Sequence, residues 1–444
     1  MESNNSISTT KKTNKRVKFS FLFYVYVFFL IVSFFESMGA YVFWNIKYHY
    51  IYWPFLLISI AFLFKKRTEL KKLEKETKPK KKTKSKSLDY LIIVFAFIVA
   101  FWGAQVNGFW GIIRQVCEVF PILICMQFLS ENELSYVLRI INKWFSFILV
   151  VSLFFWLLGI IVDFPSFGII NGGDDNYVYY NHIFYLQNKY DIGGFRFCSI
   201  FREPGHVSMI CAFMLFANKY DFHKKYNWVY LLTIIVSFGL SGYVLLVVGL
   251  FIYLCINLSW KYVKWLIFSG IVLLGVYYFG VHYNGGDNVI NELIISRLEF
   301  DEDKGVSGNN RVSLATEFNF LRAVLTGDII NGYGVEGLAN LYNPDEFIGA
   351  GYMVYLLTYG IIGTVLVLLV YFFICLKSPM KKYAFGMLLL YSISFIQRAY
   401  PLWESWIIPF ICATLVHKPA KLISLKRRKK KRLNVVKANA SISL

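Results

Sequence analysis

Five consecutive residues, Arg202-Glu203-Pro204-Gly205-His206, carry the most concentrated chemistry in the chain. Proline at the first position of a helix, behind a residue that can cap, is a strong start signal. On that reading Glu203 caps a helix that opens at Pro204, and Arg202 stands just outside it. A helix N-terminus offers unpaired backbone N–H donors and a partial positive charge, so it attracts anions. Arg196 and Arg202 add guanidinium groups whose planar fork binds phosphate oxygens bidentately. Together they make a pocket for a phosphate or diphosphate. The alternative is an ordinary helix cap beside an arginine that snorkels to an interface.

Other residue groups could add to that chemistry. GNNRVSLATEFNFLRAV reads as a short amphipathic helix carrying Arg311 and Arg322, and GDIINGYGVEG follows it. In that second stretch Gly332 and Gly334 permit tight backbone turns. Asp345 and Glu346 then precede the apolar run GYMVYLLTYGIIG. Tyr177, Tyr179, Tyr180 and Tyr185 offer flat apolar faces with polar tips, a surface suited to sugar rings; the plainer reading is an interfacial aromatic belt or ordinary loop packing. Arg114 and Glu118 lie one helical turn apart inside another apolar run. A charge there costs about 2.5–3.5 kcal/mol on insertion scales, which leaves a functional pair or a mutually satisfied one. Asp301-Glu302-Asp303 belongs to an acidic, solvated run, and NGGD at 171–174 and 284–287 reads as a turn. The six histidines lack metal-site spacing, so no metal is expected. Only Cys198 lies away from the apolar runs, which leaves no external disulfide framework.

The elements that must position these groups follow from composition. Of 444 residues 57% are hydrophobic and only 17% charged, with a net charge of +20. A soluble domain carries about 25% charged residues. The basic balance alone would raise nucleic acid as a partner, but the apolar excess must be buried in something larger than a core, which is a membrane. Spanning helices need about 20 apolar residues. Such runs lie near 18–35, 49–64, 88–106, 109–129, 144–162, 205–217, 227–240, 243–257, 265–280, 349–375, 383–397 and 405–416. The 205–217 run is short and must borrow from its outer flank near Pro204.

Twelve spans put both termini on one side. With that side cytoplasmic, 37 of the 47 Lys and Arg fall on inner segments, as the positive-inside rule requires. The chain then divides into a basic cytoplasmic tail (1–17), two membrane helices (18–64), a basic cytoplasmic loop (65–87) and membrane helices three to five (88–162). A large outer loop (163–204) precedes membrane helices six to nine (205–280). A second outer loop (281–348), membrane helices ten to twelve (349–416) and a basic cytoplasmic tail (417–444) complete it. The predicted class is an all-α polytopic membrane protein of about twelve transmembrane helices with two large extracytoplasmic loops. The N-terminal KKTNKRVK precedes an uncleaved first span, since no small-residue cleavage site follows. The lysine runs are topogenic and can touch anionic lipid. The two outer loops are too long for plain connections and too aromatic for disorder.

This pattern resembles the bacterial O-antigen and capsular polysaccharide repeat-unit polymerases (Wzy-like), relatives of the O-antigen ligases. The resemblance covers residues 88 to 416 in architecture. In sequence it rests on FREPGH at 201–206, NNRVSLATEF at 309–318 with NGYG at 331–334, and YMVYLLTYGIIG at 352–363. It implies a GT-C-like, inverting, metal-independent membrane glycosyltransferase without a cofactor, in the bacterial cytoplasmic membrane. Its substrate would be undecaprenyl-diphosphate-linked oligosaccharide, joined at the outer face among membrane lipid, with a chain-length regulator as a further partner and no nucleic acid.

The resemblance also implies roles. Arg202 and Arg311 would bind the lipid-linked diphosphate with support from Arg196 or Arg322, and Arg114, Tyr179, Tyr180, Gly332, Gly334 and Glu346 would complete substrate binding. Glu203 is the first choice for general base, with His206, Glu346 and His282 behind it. O-antigen ligases carry a histidine just before the span that here begins GAGYMVYLL, at Gly349. Phe347, Ile348, Gly349 and Ala350 stand there instead, which favours polymerase over ligase. A flippase would also have about twelve spans, but it should carry its polar residues along them near the midplane, often in repeated halves.

Overall fold

The computed structural model describes residues 19–76, 83–162, 164–172, 178–189, 196–257, 260–288, 290–296, 300–301, 305–306, 314–342, 351–399 and 402–416. Helix accounts for 78% and strand for 4% of the described residues, so the all-α reading holds at the level of class. The first helices are α1 (Phe21–Ser37), α2 (Tyr48–Glu76), α3 (Thr83–Val119) and α4 (Glu131–Ile161). After α3 come a π-turn (Phe120–Ile124) and a 3-10 turn (Cys125–Phe128). The middle holds α5 (Pro204–Ala217), α6 (Lys225–Val236), α7 (Leu240–Asn257) and α8 (Trp260–His282). Then follow α9 (Leu314–Thr326), α10 (Gly334–Ala339), α11 (Tyr352–Lys377), α12 (Lys381–Gln397) and α13 (Glu404–Thr414).

Three of these, α4, α7 and α11, are long and apolar enough to cross a membrane. Large apolar side chains face outward on several helices, among them Phe28 on α1, Phe154 on α4, Phe251 on α7 and Leu274 on α8. Exposed apolar surface on that scale marks a membrane or protein contact. By contrast α5 is buried along all 14 of its residues. A helix apolar all round belongs inside, which is where this short one sits, packed by α6, α7, α12 and α13. It starts at Pro204 and takes no further residues from its flank. Its fit against α7 is close: a Cβ on Gly242 would lie 2.4 Å from Ser208.

Residues Thr83–Val119 are helical in local conformation, yet the chain reverses direction between Asp89 and Gln127. The Lys377 ammonium pairs with Asp89 Oδ1 at 2.6 Å and donates to Gln127 Oε1 at 2.9 Å, which places Asp89 beside Gln127. A straight helix from Asp89 to Val119 would separate its ends by about 45 Å.

A polar cluster gathers at the end of the bundle where Lys377 lies. Ser130 and Glu133 form a reciprocal capping box at the start of α4, and Lys66 reaches Glu133 at 2.7 Å. Fourteen residues earlier on α2, about 21 Å along its axis, Tyr52 belongs to a different polar group at the other end.

The segment read as the first outer loop contains strands that the helical reading did not anticipate. β1 (Ile169–Asn171), β2 (Val178–Asn181) and β3 (Leu186–Asn188) form an antiparallel sheet in that order, with Ile169 opposite Tyr180 and Tyr179 opposite Asn188. The aromatic and branched side chains of this stretch favour strands. A two-residue ladder, β4 (Phe300–Asp301) with β5 (Gly305–Val306), lies in the second. There α9 is the amphipathic helix expected of that sequence, although its described part starts at Leu314.

Candidate functional site

The ends of α1, α5, α11 and α13, the start of α2 and the stretch around Gln115 of α3 enclose a cavity of about 1080 Å³. That is at the upper limit of ordinary ligand pockets, about 300–1,000 Å³. Arg202, Glu203 and His206 all line it.

Pro204 takes the first helical position of α5 and Glu203 the cap position, in extended conformation. The side chain of Glu203 makes no capping bond, against the sequence expectation. It accepts instead from Arg398 Nη2. The reason lies in burial: the Arg398 side chain is 1% exposed and that of Glu203 17%. A buried guanidinium requires a charged partner far more than a helix-end N–H requires a cap. A second constraint holds the motif from below. Phe201 forms a β-bridge with Ala40, Tyr41 N donates to the Ile200 carbonyl at 3.0 Å, and Tyr179 Oη donates to the Arg202 carbonyl. His206 is buried and its ring meets that of Trp403 edge-on at 5.4 Å.

Carboxyl groups supply the rest of the charge in the lining. Glu36 ends α1, Glu404 opens α13, and Glu118 comes from α3. Tyr52 Oη lies 2.7 Å from Glu36 Oε2 and 3.1 Å from Glu404 Oε1. Ser405 N donates to Ser37 Oγ at 2.9 Å, which joins the two helix ends that carry these glutamates. The lining therefore contains four glutamates and two arginines, more acidic than the Arg196–Arg202 pocket expected from the sequence.

The two glycine-rich patches meet beside the cavity. Gly332, at φ +76, packs on Gly360, at φ +71, where α11 departs from helical geometry. A Cβ on Gly332 would lie 2.5 Å from Gly360 N and from the Thr358 carbonyl oxygen. Tyr333 N donates to the Leu357 carbonyl at 2.7 Å, a carbonyl on the turn of α11 just before the Gly360 break. Asp328 fixes the approach: Thr326 Oγ1 at 2.7 Å and Tyr333 Oη at 3.0 Å both donate to its Oδ2. Those bonds hold the Asp328 carboxyl below the usual carboxylate range. Gly334, at φ +77, opens α10, and Val335 reaches the cavity wall.

Of the remaining candidates, some lie elsewhere. Tyr179 is fully buried, packed with Leu186 and Cys198 and against the Trp44 ring at 5.6 Å. It supports the loop from inside and presents no open face to a sugar. Tyr180 is half-buried on β2, and neither it nor Arg196 lines the cavity. Arg322 is exposed on α9, also away from the lining, and His282 bonds the Tyr278 carbonyl at the end of α8. Arg311, Tyr177, Asp345 and Glu346 lie outside the described residues, as does the side chain of Arg114 on α3. The NGGD at 284–287 forms the expected turn, with Asn284, Gly285 and Gly286 at positive φ.

Sequence reasoning missed Arg398, Glu36, Glu404 and Tyr52. A signal existed for three of them. Arg398 is one of ten basic residues left off the inner segments, and Glu36 and Glu404 abut apolar runs, where an ionised side chain is expensive. Tyr52 gave none, because tyrosines are common at such ends. No family model, no curated protein and no solved structure matches the chain, so the geometry of this cavity carries the functional argument.

Proposed function

We propose that the chain is a repeat-unit polymerase of the bacterial cytoplasmic membrane. It crosses the bilayer twelve times with both termini in the cytoplasm, and it joins oligosaccharides carried on undecaprenyl diphosphate at the outer face. The observation that carries this reading is the position of Arg202, Glu203 and His206 together in the wall of one large cavity. The residues around them stand at ends that the charge count assigns to the outer side: Glu36, Arg202, Glu203, Arg398 and Glu404. Lys66, Glu133, Asp89 and Lys377 stand at ends assigned to the cytoplasm.

In the transfer, an acceptor hydroxyl attacks the anomeric carbon of the donor from the face opposite the diphosphate. The carbon–oxygen bond to the diphosphate breaks and its electron pair leaves on that group. Charge grows on the diphosphate oxygens, and Arg202 supplies a fixed guanidinium beside them, an interaction that strengthens in the transition state. Arg311 is the second arginine of this role. Glu203 is engaged by the Arg398 guanidinium, so Glu203 orients the motif while a less constrained group takes the proton.

The test is a glycan gel on cells lacking the gene, complemented with the wild type or with Arg202→Ala. Single capped repeat units without a ladder, in the deletion and with Arg202→Ala, are the expected result. Loss of even the single unit from the surface would point to glycan ligation or lipid flipping instead.

A further inference from the structure

Tyr52 has one hydroxyl proton and two carboxyl neighbours. Its oxygen lies 2.7 Å from Glu36 and 3.1 Å from Glu404, both within hydrogen-bond distance. A phenol can donate to only one of them. The other contact is a hydrogen bond only if that carboxyl carries a proton and donates back. Two ionised carboxylates on one phenol oxygen would leave facing lone pairs in a site where Tyr52 is 1% and Glu404 4% exposed. The buried carboxyl is the one that gains most from being neutral. Glu36 is half-buried and lines the open cavity.

The arrangement is held on several sides. Tyr48 stacks on the Tyr52 ring at 4.2 Å, and Ser405 N on Ser37 Oγ keeps α13 against α1. The other ionisable groups lining the same cavity are Glu118, Arg202, Glu203, His206, Arg398 and the phenols of Tyr48, Tyr355 and Tyr359. Glu203 is committed to Arg398.

We propose that Glu36, Tyr52 and Glu404 form a carboxyl pair sharing one proton through the phenol, and that ionised Glu36 receives the proton of the acceptor hydroxyl. This rests on the glycosyl-transfer reading above. As the acceptor oxygen bonds to the anomeric carbon, its proton passes to a Glu36 oxygen and the donor's bond to diphosphate breaks with its electron pair. Glu36 then releases the proton to water through the cavity. Tyr52 and Glu404 act as positioning residues, which keep one carboxylate, and only one, charged.

Two measurements test this on the full chain. Infrared spectra of the purified protein at neutral pH should show a neutral-carboxyl C=O stretch that disappears in Glu404→Gln, shifts in Tyr52→Phe and persists in Glu203→Gln. In membranes from complemented cells, Glu36→Gln should lower chain joining about 10²-fold or more, the usual contribution of a general base. That loss should occur at unchanged protein abundance, and Glu36→Asp should restore part of it. Absence of the neutral-carboxyl band, or wild-type ladders from both Glu36→Gln and Glu404→Gln, overturns the proposal and leaves the polymerase reading standing. A ladder that persists without the gene removes the polymerase reading and the proposal together.

Discussion

The carboxylate of Glu203 and the guanidinium of Arg398, 195 residues apart in the chain, form an ion pair in the cavity wall. It ties the segment before α5 to the short connection between α12 and α13. The start of the central buried helix is thereby fixed to the far end of the chain by charge as well as by packing.

Removing one partner of a buried pair strands the other and costs about 3–5 kcal/mol. Arg398→Met should therefore lower the thermal midpoint of the detergent-solubilised protein by far more than a surface arginine would. Combining Arg398→Met with Glu203→Gln should recover most of that loss, because no charge is then left alone. A double variant as unstable as the single one would show that Arg398 acts through packing, not through Glu203.

The sequence made the helical class, the long apolar helices α4, α7 and α11 and the REPGH helix start readable, because apolar runs and proline placement are local signals. The side-chain partner of Glu203 was not readable. A cap is the local solution for a glutamate before Pro204, and only the tertiary approach of Arg398 overrides it. The Tyr177–Tyr185 stretch left two readings open, a sugar-facing surface and ordinary loop packing, and strand pairing decides for packing at Tyr179, which turns inward against Leu186 and Cys198. The meeting of NGYG with the Gly360 break was equally hidden, since neither glycine states what it will approach.

That meeting gives a second prediction. Gly360 is at φ +71, and a Cβ there would lie 2.4 Å from the Asn331 carbonyl carbon and the Ile330 carbonyl oxygen. With ψ at 177 this is a positive-φ region that is essentially closed to side chains and costs about 1–3 kcal/mol, and backbone atoms this close have no rotamer to escape into. Gly360→Ala or Gly332→Ala should release the loop from α11, seen as faster proteolysis between residues 327 and 342. Gly270→Ala on α8, where a Cβ meets nothing within 4 Å, should leave that rate unchanged. Equal proteolysis of all three variants would refute the docking.

A third prediction concerns the reversal between Asp89 and Gln127. Asp89→Cys and Gln127→Cys, placed together in a chain whose seven native cysteines are serine, should cross-link rapidly with a short thiol reagent. Both native side chains contact the same Lys377 ammonium. A straight helix between Asp89 and Val119 would hold its ends about 45 Å apart and give no product.

The last prediction follows from the direction of a titration. Thr326 and Tyr333 donate to the ionised Asp328, so its carboxyl has a lower pKa in the folded loop than in the unfolded chain. A group shifted down contributes stability at pH above its unfolded value, about 3.9 for aspartate. That contribution fades as pH falls from there through the folded value. The Gly332 amide, which donates to the Asp328 carbonyl at 2.9 Å, reports on the same turn. Its hydrogen exchange, corrected for intrinsic rate, should be slower in the wild type than in Asp328→Ala at pH 7. The difference should shrink as pH falls below the unfolded value and the wild-type carboxyl takes up its proton, because both hydroxyls then lose an ionised acceptor. A difference that stays constant while pH is lowered until the Asp328 carboxyl is seen to protonate would mean that the turn is held by the Gly332–Gly360 contact alone, with no contribution from the Asp328 charge.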